Sequence, residues 1–208
     1  MLLELTQQLK NCLLIWRAPR ITMQSILKQP SSQWSLFILA MIGGFANSVK
    51  QGGYSALLYG PLIGIAMLYI VSSFLYYTGK IFKGKGKPHE LRVVVAWAYV
   101  PMIAILLLIF CPATLLSAIS PEFKTFSKIA GQLLFNNTVS VVTITPLIKY
   151  IFYSLLIAEV LIRIWTVFIF VSCLSVVQQF SLWRAFSNLL LALTGVVAVF
   201  ALLFSLFV

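Results

Sequence analysis

The segment at residues 79–87, GKIFKGKGK, begins with glycines and a lysine at the spacing of a phosphate-binding loop. In that motif backbone N–H groups cradle the phosphates, a lysine reaches them, and a serine or threonine hydroxyl binds magnesium. Gly79, Gly84 and Lys85 match the pattern, but Gly86 stands where the hydroxyl is required, and a long apolar run precedes the loop. The pattern therefore favours a basic loop against an anionic surface over a nucleotide site. The glycines are expected to give this loop conformational freedom.

Cations cluster beside the apolar runs. The chain has 208 residues, 61% of them hydrophobic and 9% charged, with a net charge of +11. Soluble domains carry about 25% charged residues, so this composition indicates a membrane protein. The positive charge then suits anionic lipid head groups rather than nucleic acid, and docking of an acidic protein is the alternative for the loop. The expected lipid contacts are Arg17, Arg20, Lys80, Lys83, Lys85, Lys87, Arg92 and Arg184.

Glu159 and Arg163 lie one helical turn apart inside a long apolar run. Because a charge in hydrocarbon is costly, such residues usually face the interior of a helix bundle or a wet cavity. Two interpretations are open: an ion pair that fixes helix packing, or a polar site for an ion, a proton or a lipid head group. Pro101 follows Tyr99 in the preceding apolar run and would kink that helix. These four residues form the predicted intramembrane polar site.

Side-chain sets typical of catalysis are not found in the sequence. It contains no serine–histidine–acid set, no paired carboxylates and no HExxH motif, and His89 is its single histidine. The three cysteines, Cys12, Cys111 and Cys173, form no CxxC pair. We therefore expect a protein that is not an enzyme and that has neither a cofactor nor a metal site.

Five apolar runs approach or exceed the ~20 helical residues that cross ~30 Å of hydrocarbon. The predicted fold is all-α, with a five-helix transmembrane domain at 33–208 after an amphipathic interfacial segment at 1–32. The predicted spans are about 33–49, 57–78, 93–117, 147–175 and 186–208. The aromatic residues near their ends fit an interfacial belt: Trp34, Tyr76, Tyr77, Trp97 and Trp183.

The N-terminal segment has one apolar helical face, which suits the membrane interface, and packing on the rest of the protein is the alternative. That face carries Leu2, Leu5, Leu9, Leu13 and Trp16. With five spans, ten cations fall on the side of the N-terminus and four on the other. The positive-inside rule then places the N-terminus in the cytoplasm and the C-terminus outside. A short surface helix is expected in the long outer connection, 118–146.

Three segments resemble the Yip1-domain family of multi-pass membrane proteins, in its bacterial branch. They are IWRAPRITMQSIL at 15–27, GKIFKGKGKPHELRVVVAWAYVPMI at 79–103 and VVQQFSLWRAFSNLLLA at 176–192. A fourth, LYGP at 58–61, is similar to a tetrapeptide of the eukaryotic members but lacks the preceding aspartate. None of these segments is a catalytic signature.

The resemblance implies five membrane helices, a cytoplasmic N-terminus and a bacterial inner membrane. Eukaryotic relatives act in vesicle trafficking and bind one another and small prenylated GTPases through a longer N-terminal region, so GTPase docking is not carried over. The expected function is membrane organisation or partner binding, with a small transporter, channel or lipid translocator as the alternative. The expected partners are anionic lipids and copies of this chain or other membrane proteins, and no nucleic acid is expected.

Overall fold

Helices account for nearly all of the chain that the structure describes. The structure is a computed structural model, and it describes residues 2–28, 33–48, 54–122 and 146–207. None of these residues lies in a strand. The predicted all-helical fold is therefore confirmed for the described residues. Most of the predicted surface helix in the 118–146 connection lies outside them.

The described helices follow the apolar runs of the sequence closely. A π-helical stretch at Leu106–Phe110 interrupts the third run, where the Cys111 N–H bonds to the Leu106 carbonyl. The α-helices are α1 (Leu2–Arg17), α2 (Pro19–Lys28), α3 (Gln33–Ser48), α4 (Tyr54–Ile81), α5 (Pro88–Trp97), α6 (Tyr99–Ile105), α7 (Cys111–Ile119), α8 (Pro146–Gln178) and α9 (Leu182–Phe207).

Four stretches of the described chain are long and apolar enough to cross a membrane. They are Leu58–Ile81, Pro88–Ile119, Pro146–Gln178 and Leu182–Leu206. Each matches one predicted span, with ends that differ by a few residues. Helix α3 has 16 residues, a length of about 24 Å against the ~30 Å hydrocarbon core. A fifth crossing by α3 therefore stays a prediction.

The chain divides into two compact units. One comprises Met1–Met102 with Trp165–Val208, and the other comprises Ile103–Ile164. The first unit contains the hydrophobic core in which α4, α5, α8 and α9 meet. The second contains the π-helical stretch, α7 and the first part of α8.

Helices α1 and α2 contribute to the core of the first unit. Ile15 and Met23 are fully buried there. The Trp165 indole N–H donates to the backbone carbonyl of Trp16 at 3.3 Å, which joins the end of α1 to α8. These contacts match the alternative in which the N-terminal segment packs on the rest of the protein, but Leu13 of the predicted apolar face is 74% exposed.

Helices α3 and α4 pack through glycines. A Cβ atom added at Gly64 would overlap the Ala40 carbonyl, and one added at Gly44 would overlap the Gly60 carbonyl. Small residues permit this approach of two backbones, as is common between membrane helices. The two helices run antiparallel, and this arrangement fixes α3 beside the first long span.

Candidate functional site

Helix α4 ends inside the basic loop in a Schellman motif. The Gly84 N–H donates to the Gly79 carbonyl at 2.8 Å, and the Lys83 N–H donates to the Lys80 carbonyl at 3.0 Å. Lys83 adopts the left-handed conformation, with a φ of 62°. Glycine usually occupies this position because it has no Cβ to clash. The capped end turns the loop back towards the protein.

Helix α8 ends in the same way beside this loop. The Phe180 N–H donates to the Ser175 carbonyl at 2.9 Å, and Gln179 takes the left-handed position with a φ of 56°. The rings of Phe82 and Phe180 meet edge to face, with centroids 6.3 Å apart. The two helix ends are thus packed together.

Gln178, the last residue of α8, holds the loop in place. Its side chain is buried, and its Nε2 donates to the Leu75 carbonyl of α4 at 3.2 Å. Its Oε1 accepts a hydrogen bond from the Gly86 N–H at 3.2 Å. Its backbone carbonyl accepts a third from the Lys85 N–H at 3.3 Å. One residue therefore accepts hydrogen bonds from two backbone N–H groups of the loop and connects the loop to α4.

The loop glycines are required by this packing. A Cβ atom at Gly79 or Gly84 would overlap the Gln178 amide, and one at Gly86 would lie 2.9 Å from the Val177 Cγ1. None of the three glycines has a φ in the left-handed region; Lys83 takes that conformation instead. The expectation that these glycines give the loop freedom is wrong, because they permit close contact with the Gln178 side chain.

A second buried amide extends the polar contacts into α9. Asn188 is fully buried, and its Oδ1 accepts a hydrogen bond from the Thr78 hydroxyl at 2.6 Å. Its Nδ2 lies 3.5 Å from the Leu75 carbonyl, which Gln178 also contacts. Buried polar groups need such partners, and here they join α4, α8 and α9. Sequence reasoning missed both amides, although a polar side chain in an apolar run was the available signal.

The cations of the loop lie on its outer surface. The side chains of Lys80, Lys83, Lys85 and Lys87 are exposed. The Lys80 ammonium lies 4.6 Å from the centroid of the Tyr76 ring. The acidic group nearest in sequence, Glu90, accepts a hydrogen bond from the Lys87 backbone N–H at 2.9 Å. The loop therefore presents its four ammonium groups outwards from a fixed backbone.

The other predicted lipid contacts divide into two kinds. Arg17 and Arg20, at the junction of α1 and α2, are exposed, as is Arg184 in the first turn of α9. Arg92 is half-buried, and its guanidinium lies 5.2 Å from the centroid of the Tyr69 ring. Three of the four arginines are thus placed to meet an external anion.

The predicted intramembrane polar site divides between the two units. In the second unit, Arg163 donates to Glu159 Oε1 from Nη2 at 2.8 Å and from Nε at 3.1 Å. Their side chains are 48% and 29% exposed. In the first unit, the Tyr99 ring packs on Gly43 of α3, and Pro101 is buried. Glu159 and Arg163 thus form an ion pair within α8, and both interpretations of that pair stay predictions. Tyr99 packs on α3.

The chemistry available at the basic loop is electrostatic. Within the described ranges, no group of three histidine, cysteine, aspartate or glutamate side chains could hold a metal ion. The loop offers ammonium groups, which bind phosphate and carboxylate as point charges. The chain matches no protein-family model, no curated protein and no solved structure.

Proposed function

We propose that this chain is a non-enzymatic integral membrane protein that holds a basic face against anionic lipid head groups. Four helices of sufficient length and hydropathy support membrane integration. The observation that carries the proposal is the basic loop at 79–87, docked on Gln178 with its four lysines exposed. Each cation near an anionic surface contributes about 1 kcal/mol, so a fixed group of four favours anionic over neutral lipid.

The proposal includes the orientation of the protein and its family. The side with the loop is cytoplasmic, α3 makes a fifth crossing, and the membrane is a bacterial inner membrane. The resemblance of three segments to the Yip1-domain family supports this placement. In the structure these segments contact one another, since α2 contacts α5 and Gln178 contacts the loop. A membrane-organising or partner-binding role follows from that resemblance.

The test counts bound lipids. Wild-type protein is placed in nanodiscs of phosphatidylcholine with a minor fraction of phosphatidylglycerol, and native mass spectrometry counts the lipids retained. We expect a clear loss of phosphatidylglycerol, greater at low salt, in the variant that combines Lys80→Gln, Lys83→Gln, Lys85→Gln and Lys87→Gln. The matched control is Lys149→Gln, at the far end of α8. Equal phosphatidylglycerol retention in wild type and the quadruple variant would refute the proposal.

One observation favours transport as a second candidate function. Glu159 and Arg163 lie in the middle of a candidate span, yet both side chains are partly exposed. Charges at that depth are expected to mark an ion or proton path more often than surface charges do. The test is ion or labelled-lipid flux in liposomes. Loss of flux in Glu159→Gln, with the fold retained, would favour transport over the lipid-contact role.

A further inference from the structure

A shallow, widely open groove of about 510 Å³ lies between α4 and α9. Its walls include Phe74, Tyr77 and Ile81 from α4, and Leu191 and Ala198 from α9. Because both helices are candidate spans, the open side faces the surroundings of the bundle, which in a membrane are lipid chains.

The polar groups that line the groove are already hydrogen-bonded. The Thr78 hydroxyl donates to Asn188 Oδ1 at 2.6 Å. The Thr194 hydroxyl donates within its own helix to the Leu190 carbonyl at 2.5 Å. Neither hydroxyl needs a partner from the groove, so the interior is suited to an apolar chain rather than to a polar solute.

A cation stands at one end of this groove. One face of α9 carries four residues spaced by three or four positions: Arg184, Asn188, Leu191 and Gly195. Because Asn188 pairs with Thr78 and Gly195 lies against Phe74, α4 and α9 run antiparallel, and Arg184 is level with the end of α4. Lys80 is exposed at that end, but its ammonium lies over the Tyr76 ring, outside the groove lining.

Trp183 indicates the membrane depth of the groove end that carries Arg184. It precedes Arg184 in sequence and is 80% exposed. Exposed tryptophans on membrane helices concentrate at head-group level. The groove therefore runs from the head-group layer, where Arg184 is, into the hydrocarbon layer. A partner helix would match the apolar walls but not the cation at the mouth.

We propose that this groove binds one anionic phospholipid, with an acyl chain between α4 and α9 and the phosphate at Arg184. This inference rests on the proposed function, because it gives the basic face one defined lipid site. The lipid is recognised by charge at its head group and by shape along one chain.

The experiment fills the groove without changing charge. Ala198→Phe occupies the groove, and Val197→Phe, on the neighbouring exposed position of the same helix, is the matched control. The full chain is placed in phosphatidylcholine nanodiscs with a minor fraction of phosphatidylglycerol, and native mass spectrometry counts retained lipids. We expect wild type and Val197→Phe to retain one tightly held phosphatidylglycerol that Ala198→Phe has lost.

Charge removal tests the head-group contact separately. Arg184→Gln should lower the preference for phosphatidylglycerol over phosphatidylcholine about fivefold, as expected for ~1 kcal/mol per cation. The groove proposal fails if Ala198→Phe retains as much phosphatidylglycerol as Val197→Phe. It also fails if Ala198→Phe converts a dimer to a monomer with the lipid count unchanged, since a second copy then occupies the groove.

Failure of the groove and failure of the proposed function give different results. If the quadruple lysine variant loses anionic lipid but Ala198→Phe does not, the basic face stands and the groove site is refuted. If neither variant changes the lipid count, both proposals are refuted.

Discussion

Gln178 and Gly86, which are 92 residues apart in sequence, are joined by a hydrogen bond of 3.2 Å from the Gly86 N–H to the Gln178 Oε1. The same side-chain amide donates to Leu75 on α4. A buried glutamine at a helix end thus replaces water as the partner of a loop backbone. This contact fixes the backbone conformation of the lysine-rich loop.

Replacement of Gln178 should release the loop. Gln178→Ala leaves the Gly86 N–H without its partner and opens a cavity, so we expect a loss of about 2–4 kcal/mol in unfolding free energy. Thermal unfolding in detergent measures the loss, and hydrogen exchange at residues 82–87 should accelerate. Gln179→Asn is the matched control, because that side chain is exposed and asparagine tolerates the left-handed conformation. Unchanged exchange in Gln178→Ala would contradict this role.

Gly79→Ala should change stability in opposite directions in the wild type and in the Gln178→Ala variant. The atoms nearest to a Cβ at Gly79 all belong to the Gln178 side chain. Gly79→Ala should destabilise the wild type by about 1–3 kcal/mol through overpacking. In the Gln178→Ala background that clash is gone, and alanine should stabilise α4 by up to about 1 kcal/mol. A double-mutant cycle on thermal stability tests this coupling between the two substitutions. Additive effects of Gly79→Ala and Gln178→Ala would show that the two residues are not in contact.

The left-handed conformation of Lys83 predicts an unusual gain from glycine. A non-glycine residue in this conformation is disfavoured by about 1–2 kcal/mol, so Lys83→Gly should raise the unfolding free energy by up to about 1 kcal/mol. Lys83→Gln loses the same charge but keeps the Cβ, and it isolates the backbone effect. If both variants have the same melting temperature in detergent, the φ of 62° is not a source of strain.

The ion pair in α8 should be dispensable for lipid contact. Glu159→Gln removes one charge and keeps an oxygen to accept from Arg163, so we expect phosphatidylglycerol retention equal to that of wild type. Arg163→Lys, which preserves the charge of the pair, is the companion variant. A loss of retained lipid in Glu159→Gln alone would place the pair in the functional site.

Hydropathy was sufficient to predict the four candidate spans. The predicted spans at 57–78 and 93–117 correspond to Leu58–Ile81 and Pro88–Ile119. They were predictable because a membrane helix needs an apolar run of a minimum length. Helix ends were less accurate, since capping by Lys83 and the Glu90 carboxylate depends on local geometry that hydropathy does not contain. Trp97, predicted near the interface, is instead buried in the core.

The candidate site was predictable only in part. The lysines of the loop were identified from charge and position, since exposed cations beside a span follow a simple electrostatic rule. Their support by Gln178 was not predictable, because the partners are far apart in sequence and a single glutamine carries no periodic signal. The glycines at positions 79, 84 and 86 predicted conformational freedom, because nothing in the sequence shows that the Gln178 amide packs against them.

The central claim is that the loop lysines contact anionic lipid, and lysine acylation read residue by residue by mass spectrometry tests it most directly. Wild-type protein is labelled in phosphatidylcholine nanodiscs with and without phosphatidylglycerol, and Lys149 provides the internal reference. We predict that anionic lipid slows acylation of Lys80, Lys83, Lys85 and Lys87 more than that of Lys149, and that added salt reverses the protection. Equal acylation of the loop lysines in the two lipid compositions would contradict the account.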